Sequence, residues 1–322
     1  MGYLNNWFRV INEMGDDQLF KAAWARSIFE CIEKGEVQKN NTQVVISEYN
    51  IVKKLMKYYW NIHSYYGLKM HAPKRIITHV NDLEKMFYEN KYISKHVWYN
   101  EIDAFFNYYP IIQEQEIKKF MTLAHKGYDY KFLMIKREQL PLYEIDTTMK
   151  QLIFSANQVK VVKEYTKELS KLIHYKWCSV LEKHYHTPHL IYKLVQSQAD
   201  KLPTNNFKKE MKFLIEYHHQ LGIKDFFTGN QLSFEDTKVI PIFPLWYIGE
   251  APIWNLVLVA KDYKNNKSDV ISKETIEVLK DRNKTLLVNL ENNNSSFKKE
   301  LFNANIKEII DRLFVDYLAV SK

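Results

Sequence analysis

Residues 225–269 read DFFTGNQLSFEDTKVIPIFPLWYIGEAPIWNLVLVAKDYKNNKSD. Two apolar runs of strand length, Lys238–Phe243 and Trp254–Ala260, flank a proline-rich loop. Phe226–Gly229 precedes them as an apolar entry into a turn, and the polar Lys261–Lys267 follows them and opens a helix. The segment therefore predicts a turn, two strands joined by a long loop, and a helix.

The rest of the chain favours helices. Apolar residues recur at helical spacing in 16–33, 45–66, 157–185, 207–221 and 302–317. Ser272 is expected to cap a further helix that runs to about Leu287, and short apolar runs between 128 and 155 predict strands. We therefore expect a helix-rich α+β protein. Residues 1–204 are predicted to form a helix-rich domain, and residues 205–322 a second domain that contains the strand–loop–strand segment.

The composition excludes several classes of enzyme and of location. The 322 residues include eight glycines, which is about a third of the usual share. The sequence contains neither a phosphate-binding glycine loop nor a G-x-S-x-G elbow. Two cysteines, Cys31 and Cys178, are too few for a disulfide framework or a thiolate zinc site. The N-terminal residues lack the pattern of a secretory signal, and no long apolar window suggests a membrane span. We expect a cytoplasmic protein without a membrane partner.

The charge is unevenly distributed along the chain. The net charge is +8, while residues 205–322 are nearly balanced, so almost all of the excess lies in residues 1–204. Basic side chains interleaved with aromatic ones suit a polyanionic partner. The first domain is therefore a candidate surface for nucleic acid, or for docking a second protein subunit.

Several motifs in residues 225–269 resemble the HNH, or ββα-metal, nuclease family. They are similar to a branch in which a Phe-Thr-Gly turn replaces the zinc-binding cysteine pair. The matching residues are Phe227–Gly229, Pro244, Leu245–Trp246, Trp254–Leu256 and Lys267–Asp269. The resemblance implies an HNH-like finger embedded in helices, and a bacterial restriction or anti-phage setting.

The departures from the family pattern fall on its catalytic residues. The Asp-His pair, which supplies a metal ligand and the general base, falls at Ile240 and Pro241. The third position, an Asn or His metal ligand, falls at Lys264. Neither Ile nor Pro has a side chain that accepts a proton or binds a cation. We therefore expect no bound metal or other cofactor.

The remaining residues of the pattern imply binding without cleavage. Asn255 retains the family asparagine that steadies the loop carrying the histidine, and it is the catalytic-motif residue that survives. Lys261, Lys264 and Lys267 are the candidate nucleic-acid contacts, with DNA favoured over RNA. The resemblance thus implies a catalytically silent nucleic-acid-binding or partner-binding subunit.

Two alternatives remain open. The first is an active metal-dependent DNA endonuclease with a rebuilt site, in which His218, His219 or a histidine of the first domain acts as the base and Asp262 or Asp269 binds a divalent metal. The second is a protein-interaction scaffold with no nucleic-acid role, which the nearly neutral residues 205–322 favour.

Overall fold

The structure is a computed structural model of a helix-rich chain that folds as two units. It describes residues 2–14, 19–40, 42–68, 74–89, 96–125, 134–135, 138–140, 142–182, 189–199, 207–219, 222–249, 251–264, 271–289, 297–299, 301–302 and 309–320. One compact unit comprises Met1–Tyr185 with Leu190–Leu202, and the other comprises His186–His189 with Pro203–Lys322. Long helices accompanied by small antiparallel sheets confirm the predicted helix-rich α+β class.

Helices make up most of the first unit. They are α1 Gly2–Asn12, α2 Leu19–Lys34, α3 Glu48–Trp60, α4 Lys74–Glu89, α5 Tyr99–Tyr108, α6 Pro110–His125, α7 Ala156–Glu164, α8 Thr166–Leu181 and α9 Leu190–Gln196. A π-helical turn, Asn61–Tyr65, continues α3. Large aromatic side chains fill the core between them, such as Trp7 against Phe29 and Trp60 against Phe87.

The strands of the first unit form one four-stranded antiparallel sheet and one short pair. They are β1 Gln38–Lys39, β2 Gln43–Ser47, β3 Met134–Ile135, β4 Glu138–Gln139, β5 Glu144–Asp146 and β6 Gln151–Ser155. The larger sheet has the order β1-β2-β6-β5, and β3 pairs with β4. The strands predicted between 128 and 155 are therefore present where the structure describes that segment.

The helix predicted over 45–66 begins later than expected. Residues 43–47 alternate between exposed and buried positions and pair with β6, with Val44 opposite Phe154 and Ile46 opposite Leu152. Ser47 then caps α3 by accepting from the Asn50 backbone N–H at 3.2 Å. The β-branched residues at the start of the segment thus belong to a strand.

The helix predicted over 157–185 is interrupted at Tyr165. This residue has φ −105° and ψ 16° and separates α7 from α8. The Thr166 hydroxyl donates to the Val162 carbonyl at 2.7 Å, a back-bond that bends helices. Ser155 and Gln158 form a capping box at the start of α7.

A buried carboxylate joins α2 and α3. Glu30 is 2% exposed and accepts from Lys57 Nζ at 2.7 Å and from the Tyr58 hydroxyl, while Lys34 Nζ lies at 2.9 Å. Burial alone would raise the pKa of Glu30, but Lys57 and the hydrogen bonds lower it to about 2. Glu30 is therefore ionised at neutral pH and holds the two helices together.

The described residues of the second unit combine helices with one hairpin. Its elements are α10 Lys208–His219, β7 Thr237–Pro241, α11 Leu245–Ile248, β8 Leu256–Ala260, α12 Lys273–Asn289 and α13 Ile309–Val320. A 3-10 turn, Ile253–Asn255, precedes β8. Residues 297–299 and 301–302 are also helical. Tyr317 of α13 packs its ring against Phe243 and Tyr247, so the last helix covers the loop between the strands.

The predictions for this unit have mixed outcomes. The two strands are confirmed, although the 3-10 turn takes the start of the second, and the Ser272 cap is confirmed because its Oγ accepts from the Thr275 N–H at 3.1 Å. Residues 261–264 form a turn and irregular chain, which makes the helix predicted from Lys261 wrong there. No helix among the described residues is long and apolar enough to cross a membrane.

Candidate functional site

The hairpin of β7 and β8 forms the framework of the candidate site. The strands pair antiparallel from Thr237 opposite Ala260 to Pro241 opposite Leu256. The loop between them contains α11 and the 3-10 turn. Every β8 residue except Ala260 is buried, so this strand lies in the core of the unit.

The Asn255 side chain fastens one end of this loop to the other. Its Oδ1 accepts from the Phe243 N–H at 2.7 Å, and its Nδ2 donates to the Phe243 carbonyl at 2.9 Å. The Asn255 carbonyl also accepts from the Ile242 N–H at 2.9 Å. Asn255 is fully buried. A side-chain amide, which both donates and accepts, satisfies both backbone groups of Phe243 at once.

Helix α12 holds the 3-10 turn from the opposite side. Arg282 donates to the carbonyls of Ile253, Trp254 and Leu256, the last at 2.6 Å. The neighbouring Asn283 donates to the Trp254 carbonyl at 3.1 Å. Burial lowers the pKa of Arg282 to about 9, so the guanidinium remains charged at neutral pH. A partly buried cation thus orders the backbone directly before β8.

Asp225 organises the Phe-Thr-Gly turn and joins it to β8. Its Oδ1 accepts from the backbone N–H groups of Phe227 and Thr228 and from the Thr228 hydroxyl, and its Oδ2 accepts from the Ala260 N–H at 2.8 Å. Burial would raise the pKa of Asp225, but these hydrogen bonds hold it below its usual range. Gly229, at φ +71°, completes the turn in a conformation that favours glycine.

Ile240 and Pro241 occupy the last two positions of β7. They lie opposite Val257 and Leu256 and are partly buried. Neither side chain carries a nitrogen or oxygen that could accept a proton or bind a metal ion. The end of the strand therefore presents only hydrocarbon side chains at these two positions.

Lys261 and Lys264 lie beyond the opposite end of the hairpin. Lys261 follows Ala260, and its backbone N–H donates to the Asp236 carbonyl at 2.7 Å. Both lysine side chains are exposed. The Lys238 ammonium stabilises this turn by donating to the Lys261 and Tyr263 carbonyls at 2.9 and 2.6 Å. About four residues of strand, roughly 13 Å, separate this turn from Pro241.

A pair of stacked aromatic rings lies beside the same turn. Tyr263 and Phe227 stack with centroids 4.9 Å apart and planes 6° apart. Phe226 contacts Phe227 edge to face, and Lys238 lies over the Tyr263 ring. One face of each ring is therefore used within the protein, and the stacked pair joins the Phe-Thr-Gly turn to the Lys261 turn.

Most of the remaining candidate residues fall outside what the structure describes. Lys267 and Asp269 lie in residues 265–270, and the side chains of His218 and His219 are likewise outside the described part. Asp262 is exposed. Within the described residues, no group of three His, Cys, Asp or Glu side chains could hold a metal ion.

Asp225, Arg282 and Asn283 are site residues that the sequence patterns did not reveal. An aspartate three residues before a threonine in a turn is a capping signal that could have identified Asp225. Arg282 and Asn283 carried no comparable local signal, because their partners are carbonyls about 26 to 29 residues away along the chain. Comparison with known proteins found no matching family model, no matching curated protein and no matching solved structure.

Proposed function

We propose that this protein is a catalytically silent relative of the HNH nucleases that binds nucleic acid without cleaving it. One observation carries the proposal. Asn255 clamps the backbone of Phe243 two residues after Pro241, which is the loop-steadying role that the resemblance assigns to it. The position at which the resemblance places the general base holds a proline, which supports binding without cleavage.

The size of the missing contributions favours a silent module. General-base catalysis contributes about 10²–10⁴-fold in rate, and a metal ion adds several kcal/mol of charge stabilisation. The contacts that hold the hairpin and its loop come instead from Asn255, Arg282 and Asp225. These contacts need neither an acid–base pair nor a bound metal ion, which supports a binding role for an intact framework.

Lys261 and Lys264 are the proposed phosphate contacts of this unit. Both ammonium groups are exposed on a turn that Lys238 stabilises. Phosphate neutralisation by lysine releases counterions, so binding must weaken as the salt concentration rises. Lys267 is proposed as a third contact from its place in the sequence.

The test measures binding and cleavage on the full chain. We expect DNA affinity that falls between about 50 and 200 mM salt, weakens in the Lys261→Gln/Lys264→Gln variant, and is unchanged in a Lys212→Gln/Lys284→Gln control. Those control lysines are also exposed, but they pair with Glu216 and Asp281. Plasmid and RNA incubated with Mg²⁺, Mn²⁺ or Ni²⁺ should remain intact.

Two results would contradict the proposal in different ways. Metal-dependent cleavage would indicate a rebuilt nuclease site. Failure to bind DNA or RNA at low salt, combined with stable co-purification of another protein, would favour the interaction scaffold.

A further inference from the structure

A row of lysines runs along α7 and α8 of the first unit. Lys160, Lys163, Lys167 and Lys171 follow one another at intervals of three, four and four residues, and all four are exposed. Residues at this spacing lie on one side of a helix. We call these four residues the lysine row.

The lysine row crosses the α7–α8 junction, with Lys160 and Lys163 on α7 and Lys167 and Lys171 on α8. The Tyr165 N–H donates to the Val161 carbonyl at 3.1 Å, and the Leu169 N–H donates to the Tyr165 carbonyl at 3.0 Å. The first bond closes the end of α7 and the second opens α8, on either side of the bend. At a rise of about 1.5 Å per residue, the row is roughly 16 Å long. Val162, Leu169 and Ile173, which face the core, are buried.

The lysine row differs in its partners from three exposed lysines on α4 and α6. Lys85, Lys118 and Lys119 form ion pairs with a glutamate three or four residues away. No ion pair joins any lysine of the row to a described carboxylate, although Glu164 and Glu168 lie on the same helices. The four ammonium groups are therefore directed to solvent and available to an external anion.

We propose that the lysine row is a second nucleic-acid contact of this protein, and that it binds the phosphate backbone of duplex DNA. The inference rests on the proposed nucleic-acid-binding function. It assigns a DNA contact to the first unit, in addition to the lysines proposed as contacts in the second unit. It also accounts for the location of the positive charge, because almost all of the net +8 lies in residues 1–204.

The geometry of the row favours a duplex over a single strand. A duplex is a stiff rod with one negative charge per about 1.7 Å of its axis, so a row of exposed cations on successive helical turns can contact several phosphates. Single-strand sites combine basic grooves with several aromatic side chains on which bases stack. The row continues along α8 into one exposed aromatic residue, Tyr175, and a tyrosine hydroxyl is itself a common phosphate contact.

The experiment compares three variants of the full chain in anisotropy titrations with a labelled duplex. In the row variant, Lys163, Lys167 and Lys171 are changed to glutamine. In the control, Lys85, Lys118 and Lys119 are changed to glutamine, which removes the same number of exposed but ion-paired charges. In the rescue variant, the three row positions carry arginine. Circular dichroism melts verify that each variant folds.

The expected results separate this inference from the proposed function. The slope of log K against log salt concentration should become shallower in the row variant by about 0.9 for each phosphate that the protein no longer neutralises, or roughly 2 to 3 in total. Binding of the row variant at about 100 mM salt should be at least tenfold weaker than that of the wild type. The control and the rescue variant should bind like the wild type.

Three outcomes would overturn the inference. If the row variant binds duplex DNA like the control, the row is not a DNA contact, while the function proposed for the second unit stands. If the row variant loses binding to phosphatidylserine vesicles only, the row is a membrane contact. If the wild type shows no salt-dependent binding to DNA, both proposals fail together.

Discussion

The side-chain amide of Asn255 and the backbone amide of Phe243 form a closed pair of hydrogen bonds, 2.7 and 2.9 Å long, across the ends of the loop between β7 and β8. The two residues are twelve positions apart, and both are fully buried. Any side chain that lacks either the donor or the acceptor leaves a backbone group of Phe243 unpaired in the interior. The pair therefore links the identity of one side chain to the shape of the whole loop.

Asn255→Ala should destabilise the second unit by about 2–4 kcal/mol, because it leaves a buried N–H and a buried carbonyl without partners. Urea unfolding followed by tryptophan fluorescence measures the loss. Asn230→Ala, at an exposed position, is the matched control and should change stability by no more than about 0.5 kcal/mol. Equal midpoints for the two variants would contradict the structural role of Asn255.

Arg282→Met should destabilise the same unit more than Arg282→Lys does. Methionine keeps much of the packing volume but donates to none of the three carbonyls, whereas lysine retains a charge that can reach one or two of them. We expect the methionine variant to lose about 2–4 kcal/mol. Thermal unfolding of both variants measures the order, and a methionine variant as stable as the wild type would disprove the role of the guanidinium.

Asp225→Asn should loosen the Phe-Thr-Gly turn. The two aspartate oxygens together accept four hydrogen bonds. Asparagine replaces one of these oxygens with an amide nitrogen, which donates and cannot accept, so the hydrogen bonds to that oxygen are lost. The expected loss is about 1–3 kcal/mol. Asp262→Asn, an exposed change nearby, should be neutral. Faster amide exchange at Thr228 and Ala260 in the Asp225 variant alone would locate the effect.

Glu30 should make the first unit sensitive to acid. Its pKa lies below the ordinary value of 4.5, at about 2, so its stabilising contribution is complete above pH 4.5 and is lost as the pH falls through 2. The total is roughly 3 kcal/mol, because each pKa unit corresponds to about 1.4 kcal/mol. Glu30→Gln should lower stability at pH 7 and flatten the pH dependence below pH 4.5. An unchanged acid profile would exclude this assignment.

Several elements could be predicted from sequence because their signals are local. The Ser272 cap and the two strands of the hairpin depend on residues within a few positions of one another, and all three are confirmed. The predicted start of α3 is wrong because helical spacing continues through residues 45–47, where pairing with β6 favours a strand. The bend at Tyr165 depends on the conformation of one residue, which apolar periodicity does not reveal.

The candidate site was less predictable from sequence because most of its contacts join residues that are distant along the chain. Asn255 could be singled out because it belongs to a recognisable Trp-Asn-Leu motif. The three carbonyls that Arg282 contacts come close to its side chain only when α12 packs beside the hairpin. The spacing of residues in the sequence therefore does not predict these contacts. Contacts between distant segments are fixed by packing and not by local pattern.

The guanidinium of Arg282 is covalently part of the chain and cannot dissociate from it. A loop that is held by an exchangeable ion becomes less ordered when the concentration of that ion falls. Here the positive charge at the 3-10 turn has a fixed stoichiometry of one per molecule and is present as soon as the chain folds. Chelators and changes in divalent-ion concentration therefore do not affect the hydrogen bonds by which Arg282 holds the 3-10 turn.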